Sequence, residues 1–594
     1  MNATTFRDQR QRFMKRIAGR SILSAAVVTF SAVLGLGGCN RTPPSAATNA
    51  VSSVNLPSAA DWFEDVTDAL GLDVTHNCGP TDNYFMPQSM YGAGAFFDAN
   101  GDGRMDILVL QGAGPNSGVG NRLYLQTADG KFQDATKGSG LDFDGWNVGV
   151  AIGDIDNDGR PDVLFTQYGG VRLLHNEGGG KFKDITAEAG IANNLWGASA
   201  AFFDYDRDGL LDLIIVNYLD YDKSWPCNGT DGQREFCGPR TFPGTIPRLF
   251  HNLGPKDGKP IRFADVTVEA GLATKAAPGL GVYAADLNGD GWPDLLITND
   301  GTPNHLWINQ KNGTFKNEAM SRGIAITENG MPYANMGIAV GDYNGDGLSD
   351  FFVTHLGNET HTLWLQGPLG QFRDKTQELK AVRTAWRGTG FGAVAADFDG
   401  DGWVDIAYVN GRVHRGPVIP EAKDVSAFWK PYAERNQILR NTGGGQFQDV
   451  SEAQPVFCGR ANVARGLALA DFNNDGKPDL LVFSVGDRVR LFRNKSPGKH
   501  WHWLGVRTKD PTRGGRELLG AEVKLTIGTR TWVQVAQSAH SYLCASDSRP
   551  LFGLGDATQY DRIDVTWPDG KREQFPGGAV DRWIELSPGT GKTP

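Results

Sequence analysis

The sequence predicts an all-β protein, a seven-bladed β-propeller followed by a small antiparallel β domain. Three observations predict it. A nine-residue acidic pattern, first seen as "DANGDGRMD" at 98, recurs at 154, 204, 286, 342, 397 and 471, at intervals of 56, 50, 82, 56, 55 and 74 residues. Each copy lies between apolar runs of strand length. Glycine (78) and proline (30) are plentiful beside 40% hydrophobic residues, which favours many short strands joined by turns.

Each copy has the same context. A small-apolar run such as "GAGAFFD" or "GFGAVAADF" precedes it, and a run such as "ILVL", "LIIV" or "LLVF" follows. These are two strands joined by the acidic loop. A third strand comes next ("RLYLQ", "RLLHN", "HLWIN", "RLFRN"), then a Gly-rich hairpin into a fourth ("KFQDATKGSGL", "RFADVTVEAGL"). Four strands in a unit of roughly 50 residues make a propeller blade. Only six fourth strands follow a third strand. A seventh, within "WFEDVTDALGL", precedes the first acidic loop. Residues 62–67 are therefore expected to complete blade seven and close a ring over 61–495, removing the open sheet edge.

The acidic loop is not an EF-hand. That loop needs a bidentate Glu at position 12 between two helices, whereas position 12 here is Val109, Phe165, Ile215, Ile297, Val353, Tyr408 or Val482, each inside an expected strand. Positions 1, 3, 5 and 9 instead carry oxygen side chains. They are Asp98, Asn100, Asp102 and Asp106; Asp154, Asp156, Asp158 and Asp162; and Asp204, Asp206, Asp208 and Asp212 in blades one to three. Blades four and five supply Asp286, Asn288, Asp290 and Asp294, and Asp342, Asn344, Asp346 and Asp350. Blades six and seven supply Asp397, Asp399, Asp401 and Asp405, and Asp471, Asn473, Asp475 and Asp479. Oxygen-only ligation of this kind suits Ca2+, up to seven ions, and not zinc or copper. The loops hold 24 carboxylates against a net charge of -10, so an empty ring repels itself locally. Near-identical loops in every blade argue for structural ions over an asymmetric catalytic pair.

Residues 1–38 join a basic start to the apolar run "SILSAAVVTFSAVLGLG" and end at "LGGC". That order is expected to be a bacterial lipoprotein signal with lipidation at Cys39, an uncleaved anchor being the alternative. Residues 39–60 read as a flexible tether. The expected location is the bacterial cell envelope, with the lipid as the only membrane contact and the chain facing periplasm or exterior. Net negative charge argues against nucleic acid. Cys227 and Cys237, ten apart in an exported polar insert, are expected to form a disulfide. Cys78 and Cys458 fall in neighbouring connections, where a bridge is possible, and Cys544 reads as a buried thiol. Oligomeric state is not legible.

From the last loop Asp to the third strand there are 10 to 16 residues in five blades, but 36 in blade three and 32 in blade six. Both insertions, 217–247 and 410–436, must emerge on the face opposite the acidic loops. Long loops on a rigid scaffold carry binding more often than strands do. Tyr218, Tyr221, Trp225, Arg234, Arg412, His414, Trp429 and Tyr432 are the candidate ligand-facing residues, suited to a glycan or a protein. His305, His355 and His361 also follow second strands, but no catalytic motif accompanies them, so no catalytic residue is assigned.

The repeats resemble the FG-GAP/VCBS repeats of integrin α-subunit propellers. The tail, with "HWLGV", "GAEV", "FGLG" and "VTWPDG" in order, resembles an ASPIC/UnbV domain. The combination is similar to the cartilage acidic protein family and its bacterial members, and it covers nearly the whole mature chain. It implies a calcium-binding extracytoplasmic protein of recognition or adhesion type and brings no reaction with it. Residues 500–590 alternate apolar and polar positions in "VKLTI", "WVQVA" and "IDVTW", as a small antiparallel β domain does, serving as a cap for the propeller or a second recognition module. The leading expectation is non-catalytic recognition through the calcium-free face. The alternative is a propeller enzyme acting on a polysaccharide or small molecule at the central opening.

Overall fold

The computed structural model describes residues 61–255, 261–381, 383–498 and 501–594. The expected signal peptide, Cys39 and the tether lie outside them. Seven four-stranded antiparallel sheets follow the seven acidic loops. In blade one, Gly94–Phe97, Asp106–Val109, Arg122–Gln126 and Phe132–Asp134 pair in sequence order. Blade seven combines Ala464–Ala470, Asp479–Ser484 and Arg490–Asn494 with the N-terminal strand Phe63–Asp65. Phe63 sits opposite Asn494 and Asp65 opposite Phe492. The displaced strand thus closes the ring as its sequence predicts.

A second device links the blades. At or near the end of each third strand stands an Asn or Gln whose side-chain amide donates to the carbonyl at loop position 2 of the preceding blade. Asn176 reaches Ala99, Asn252 reaches Ile155, and Asn309 reaches Tyr205, at 3.1, 2.8 and 2.9 Å. Gln366, Asn441 and Asn494 reach Leu287, Tyr343 and Phe398 at 3.1, 2.8 and 3.0 Å. Gln126 reaches Phe472 at 3.2 Å and completes the circle from blade one to blade seven. Buried carbonyls left unpaired are costly, so these amides tie the sheets together at the rim where the acidic loops sit.

The C-terminal part contains two sheets. In the first, His502–Asp510 pairs with Leu551–Gly555 and with Arg516–Glu517 antiparallel, and with Arg582–Leu586 parallel. In the second, Glu522–Ile527 and Gln559–Thr566 lie between Arg530–Val535 and Arg572–Ala579. One pair within this otherwise antiparallel domain is parallel. Alternation marks a strand but not its partner, and here the last strand returns beside the first. All described residues fall within one compact unit, so this part packs onto the ring as a continuation of it.

Between the two sheets the chain leaves the C-terminal domain and enters the ring. Residues 537–549 run along the innermost strands and bond to all seven blades. The backbone carbonyls of Ala545 and Leu543 accept from the amides of Phe96 and Val150. Ser199 Oγ accepts from Leu543 N, Gln537 donates to Ala284 O, and Ser541 exchanges backbone bonds with Ile338. Ser541 Oγ accepts from Ala393 N, and Ser546 Oγ accepts from Leu469 N. Ser541 and Leu543 have φ of 79° and 61°, a left-handed conformation that non-glycine residues hold only where packing enforces it. The central opening is filled by the protein's own chain.

Candidate functional site

In the first loop, Asp98 accepts the amides of Gly101, Asp102 and Gly103 at 2.8 to 3.1 Å, and Asp102 accepts Arg104 N at 3.0 Å. The position-6 glycines all have φ between 81° and 88°, which L side chains disfavour. The same turn repeats around the ring, folding positions 1, 3 and 5 inward.

Position 9 does more than its sequence assignment as a metal ligand suggests. In every blade one of its oxygens accepts the amide at position 2 and the other accepts the backbone amide of the linking Asn or Gln of the third strand. For Asp106 the donors are Ala99 and Gln126, both at 2.8 Å, and for Asp350 they are Tyr343 and Gln366 at 3.0 and 2.8 Å. These seven carboxylates are essentially fully buried. They clamp the loop to the blade, and Asp162, Asp212 and Asp405 also stand among the carboxylates that could hold a metal ion.

Several clusters can hold a metal ion. Asp154, Asp156 and Asp162, then Asp204, Asp206 and Asp212, then Asp397, Asp399 and Asp405 each bring ligand oxygens within 4.8 Å of one another. In these loops Asp156 Oδ1, Asp204 Oδ1 and Asp399 Oδ1 are buried with no hydrogen-bond partner. A hard cation would satisfy them, so the residues present fit one. Burial, with repulsion from neighbouring carboxylates, pushes the metal-free carboxyls up: Asp154 and Asp342 to about 6, Asp204, Asp471 and Asp106 to about 7, and Asp397 and Asp294 to about 8.

Beside two of the loops a histidine of the third strand stands against the carboxylates. His175 Nε2 lies 3.0 Å from Asp156 Oδ2, and His251 Nδ1 lies 3.0 Å from Asp212 Oδ1. The hydrogen bond to Asp156 holds the His175 imidazole up at about 9, and the bond to Asp212 raises His251. Each histidine immediately precedes the asparagine, Asn176 or Asn252, that ties its third strand to the preceding blade. The equivalent residue in blade six is Arg440, paired with Asp399 and with Asp401 at 2.5 and 2.9 Å. These are the three loops with four carboxylates. In blades one, four and five, whose loops have three, that residue is Leu125, Ile308 or Leu365, and in blade seven Arg493 pairs instead with Glu64 at 2.7 Å. The third strand therefore places a cation where the loop carries an extra charge. Because the histidine follows its loop by 13 residues or more, only the paired strands bring them together.

The C-terminal domain covers the loop face. Arg513 donates to Gly209 O and Arg530 to Gly402 O. Trp532 Nε1 also donates to Gly402 O, at 3.0 Å, and Trp501 Nε1 to Gly476 O at 3.2 Å. A Cβ on Gly159 would come within 2.1 Å of Gly514 O. Position 6 must be glycine there for both the turn and the docking.

The opposite face carries the two insertions, which meet. Arg415 Nε binds Glu235 at 3.1 Å, Tyr432 Oη donates to Glu235 at 2.6 Å, and Phe236 stacks on Trp429. Cys227 and Cys237 form the expected disulfide, while Cys78, Cys458 and Cys544 are separate buried thiols. Of the expected ligand-facing residues, Tyr218, Trp429 and Tyr432 are buried and serve as the insertions' own core. Tyr218 Oη is bonded to Asp300 at 2.5 Å. Tyr221, Arg234 and Arg412 are half-buried, with Arg412 engaged by Glu434, and His414 is exposed. Trp225 is 53% exposed. A small cavity of about 60 Å³ at this mouth of the ring is lined by both insertions, with Tyr218 and Cys237 from one and Val413 and His414 from the other. His305 and His355 are buried and His361 is half-buried; desolvation pushes the first down to about 4 and the others to about 3. They are neutral structural groups.

A ring of seven acidic-loop blades, capped and threaded by a C-terminal β domain, defines a β-propeller. The chain belongs to the FG-GAP-like repeat family, whose model matches residues 98–165, 154–215, 286–353, 342–408 and 424–482, and it carries an ASPIC and UnbV domain over 511–593. It is 29% identical over 319 residues to cartilage acidic protein 1 of Xenopus tropicalis, covering 52% of this chain and 45% of that protein. The mouse protein of the same name is 29% identical over 327 residues, again with 45% of its length covered. The match therefore spans about half the length of these relatives. Among solved structures, an Agrocybe aegerita lectin that recognises non-reducing terminal N-acetylglucosamine aligns with 60% of this chain and 79% of that one, at 18% identity and a TM-score of 0.35. The rhamnogalacturonan lyase YesW aligns with 87% of this chain and 92% of its own, at 11% identity and a TM-score of 0.30.

Proposed function

We propose that the protein is a calcium-binding recognition or adhesion lipoprotein of the bacterial cell envelope, anchored through Cys39, with up to seven structural Ca2+ ions and a ligand, glycan or protein, taken by the calcium-free face. The observation that carries this reading is the fusion of the two insertions into one rigid surface. Their aromatic residues are consumed in their own packing, and they still present Trp225, together with Val418 at 58% exposure, to solvent. Exposed tryptophan on a preordered surface is the usual anchor of a recognition site. A central-opening enzyme is disfavoured because residues 537–549 fill that opening.

The test is binding of the calcium-loaded mature chain to a glycan array and to envelope extracts, with Trp225→Ala and Arg234→Ala as variants. Trp225 is exposed and Arg234 half-buried, so folding should survive. Binding lost in Trp225→Ala but retained in His355→Ala supports the reading. Binding indifferent to both insertion variants overturns it.

A further inference from the structure

The loop face holds a second feature, independent of the insertions. Between blades one and two and the C-terminal domain lies a cavity of about 330 Å³, within the size range of small-molecule pockets, about 300–1,000 Å³. Arg516 lines it. This side chain is 4% exposed, and its Nε and Nη1 are buried with no hydrogen-bond partner. No ion pair to it is formed among the described residues.

That is an unusual state for a guanidinium. Its five donors favour planar oxyanions, and burying it unpaired is expensive. Asp154, Asp204 and Asp510 favour its charge only from beyond ion-pair distance, and the burial outweighs them. Glu517 is taken by Arg507 at 2.8 Å, and Asp547 by Arg549 at 2.7 Å. Asp98 and Asp154, the first residues of their loops, accept backbone amides and belong to the candidate metal clusters. Lys509, half-buried, also lines the cavity and has no ion-pair partner among the described residues. Of the four cationic side chains that line the cavity, Arg507 and Arg549 are engaged by Glu517 and Asp547, which leaves Arg516 and Lys509 facing it without an ion pair among the described residues.

We propose that this cavity is a binding site for a small oxyanion, a carboxylate, sulfate or phosphate group free or carried on a sugar-sized molecule, with Arg516 as its buried clamp and Lys509 as the cation at its entrance. The ligand would sit between ring and cap and touch both. The site goes beyond the recognition reading and lies on the opposite face, so either can fail without the other.

The experiment is isothermal titration of the calcium-loaded mature chain with inorganic sulfate and with D-glucuronate, D-glucose serving as the uncharged control. Saturable binding of either anion but not of glucose is expected, weakened about ten-fold or more in Arg516→Gln, as loss of a charge-assisted bond implies. Sulfate alone would identify a free oxyanion, and glucuronate a charged sugar. Lys509→Gln changes a partly exposed residue and leaves the fold intact, so a weaker affinity there reports on the site even if Arg516→Gln misfolds. No saturable binding of either anion, or anion binding unchanged in Lys509→Gln and in a folded Arg516→Gln, overturns the proposal.

Discussion

At the scale of single residues, the acidic loops divide labour. Position 5 is exposed in five loops, Asp346 among them, and accepts one exposed backbone amide, whereas the buried position 9 holds two. Asp350→Ala should cost about 2–5 kcal/mol with or without calcium, because two buried donors lose their partner. Asp346→Ala should leave the metal-free protein nearly unchanged and lower only the calcium-loaded midpoint. Thermal denaturation of both variants in calcium and in EDTA checks this, and equal sensitivity to calcium would refute the division. The raised carboxyl pKa values fix a sign as well. Asp154, Asp204 and Asp397 stay protonated in the metal-free fold at pH values where the unfolded chain has released its protons. Stability therefore falls as pH rises through the window from about 4 to about 8. In EDTA the melting temperature should drop between pH 5 and pH 8, and calcium should flatten or reverse that slope. For a site with a dissociation constant near 10⁻⁴ M, ~1 mM calcium adds roughly 1.4 kcal/mol per ion.

At the scale of elements, the ring depends on one short strand far from its partner in sequence. Phe63–Asp65 covers the edge of Arg490–Asn494, and Phe63 packs against Phe398 and Phe457. A chain beginning after residue 67 should expose that edge and associate, since open edges pair with other chains. Size-exclusion chromatography after calcium loading would show it, and a monodisperse truncated monomer would contradict the assignment. The blades were legible because four strand types and an acidic loop recur in register. The amide at or near the end of each third strand recurs equally plainly, in "YLQ", "LHN", "WIN" and "FRN", yet its role was not legible. Its acceptor is a backbone carbonyl of another blade, and a carbonyl leaves no mark in a sequence. The histidines beside the second and third loops escaped for a related reason, since strand pairing and not chain proximity brings them there.

At the scale of the whole molecule, the C-terminal domain is a stopper as well as a cap. Tyr542, fully buried, packs on Phe391 within the opening. Tyr542→Ala should lose about 3–5 kcal/mol, the cost of a large cavity, and melt ring and cap together. Differential scanning calorimetry checks both, and separate transitions for the two parts, or an unchanged midpoint, would speak against the stopper. The segment itself, "QSAHSYLCASDSR", shows only that it is rich in small and hydroxylated residues and lacks strand alternation. Those are the residues needed to pass between seven inner strands and bond their backbones.

The sequence by itself determined the seven blades, the closing strand, the acidic loops and the family, because each rests on a local pattern repeated often enough to be read without coordinates. Only the tertiary structure decided which surfaces remain available. It put the C-terminal domain on the loop face, ran residues 537–549 through the opening, buried Tyr218, Trp429 and Tyr432, and left Arg516 unpaired. Each of those outcomes is set by contacts between segments far apart in the chain, and a residue's type does not record which distant surface will cover it.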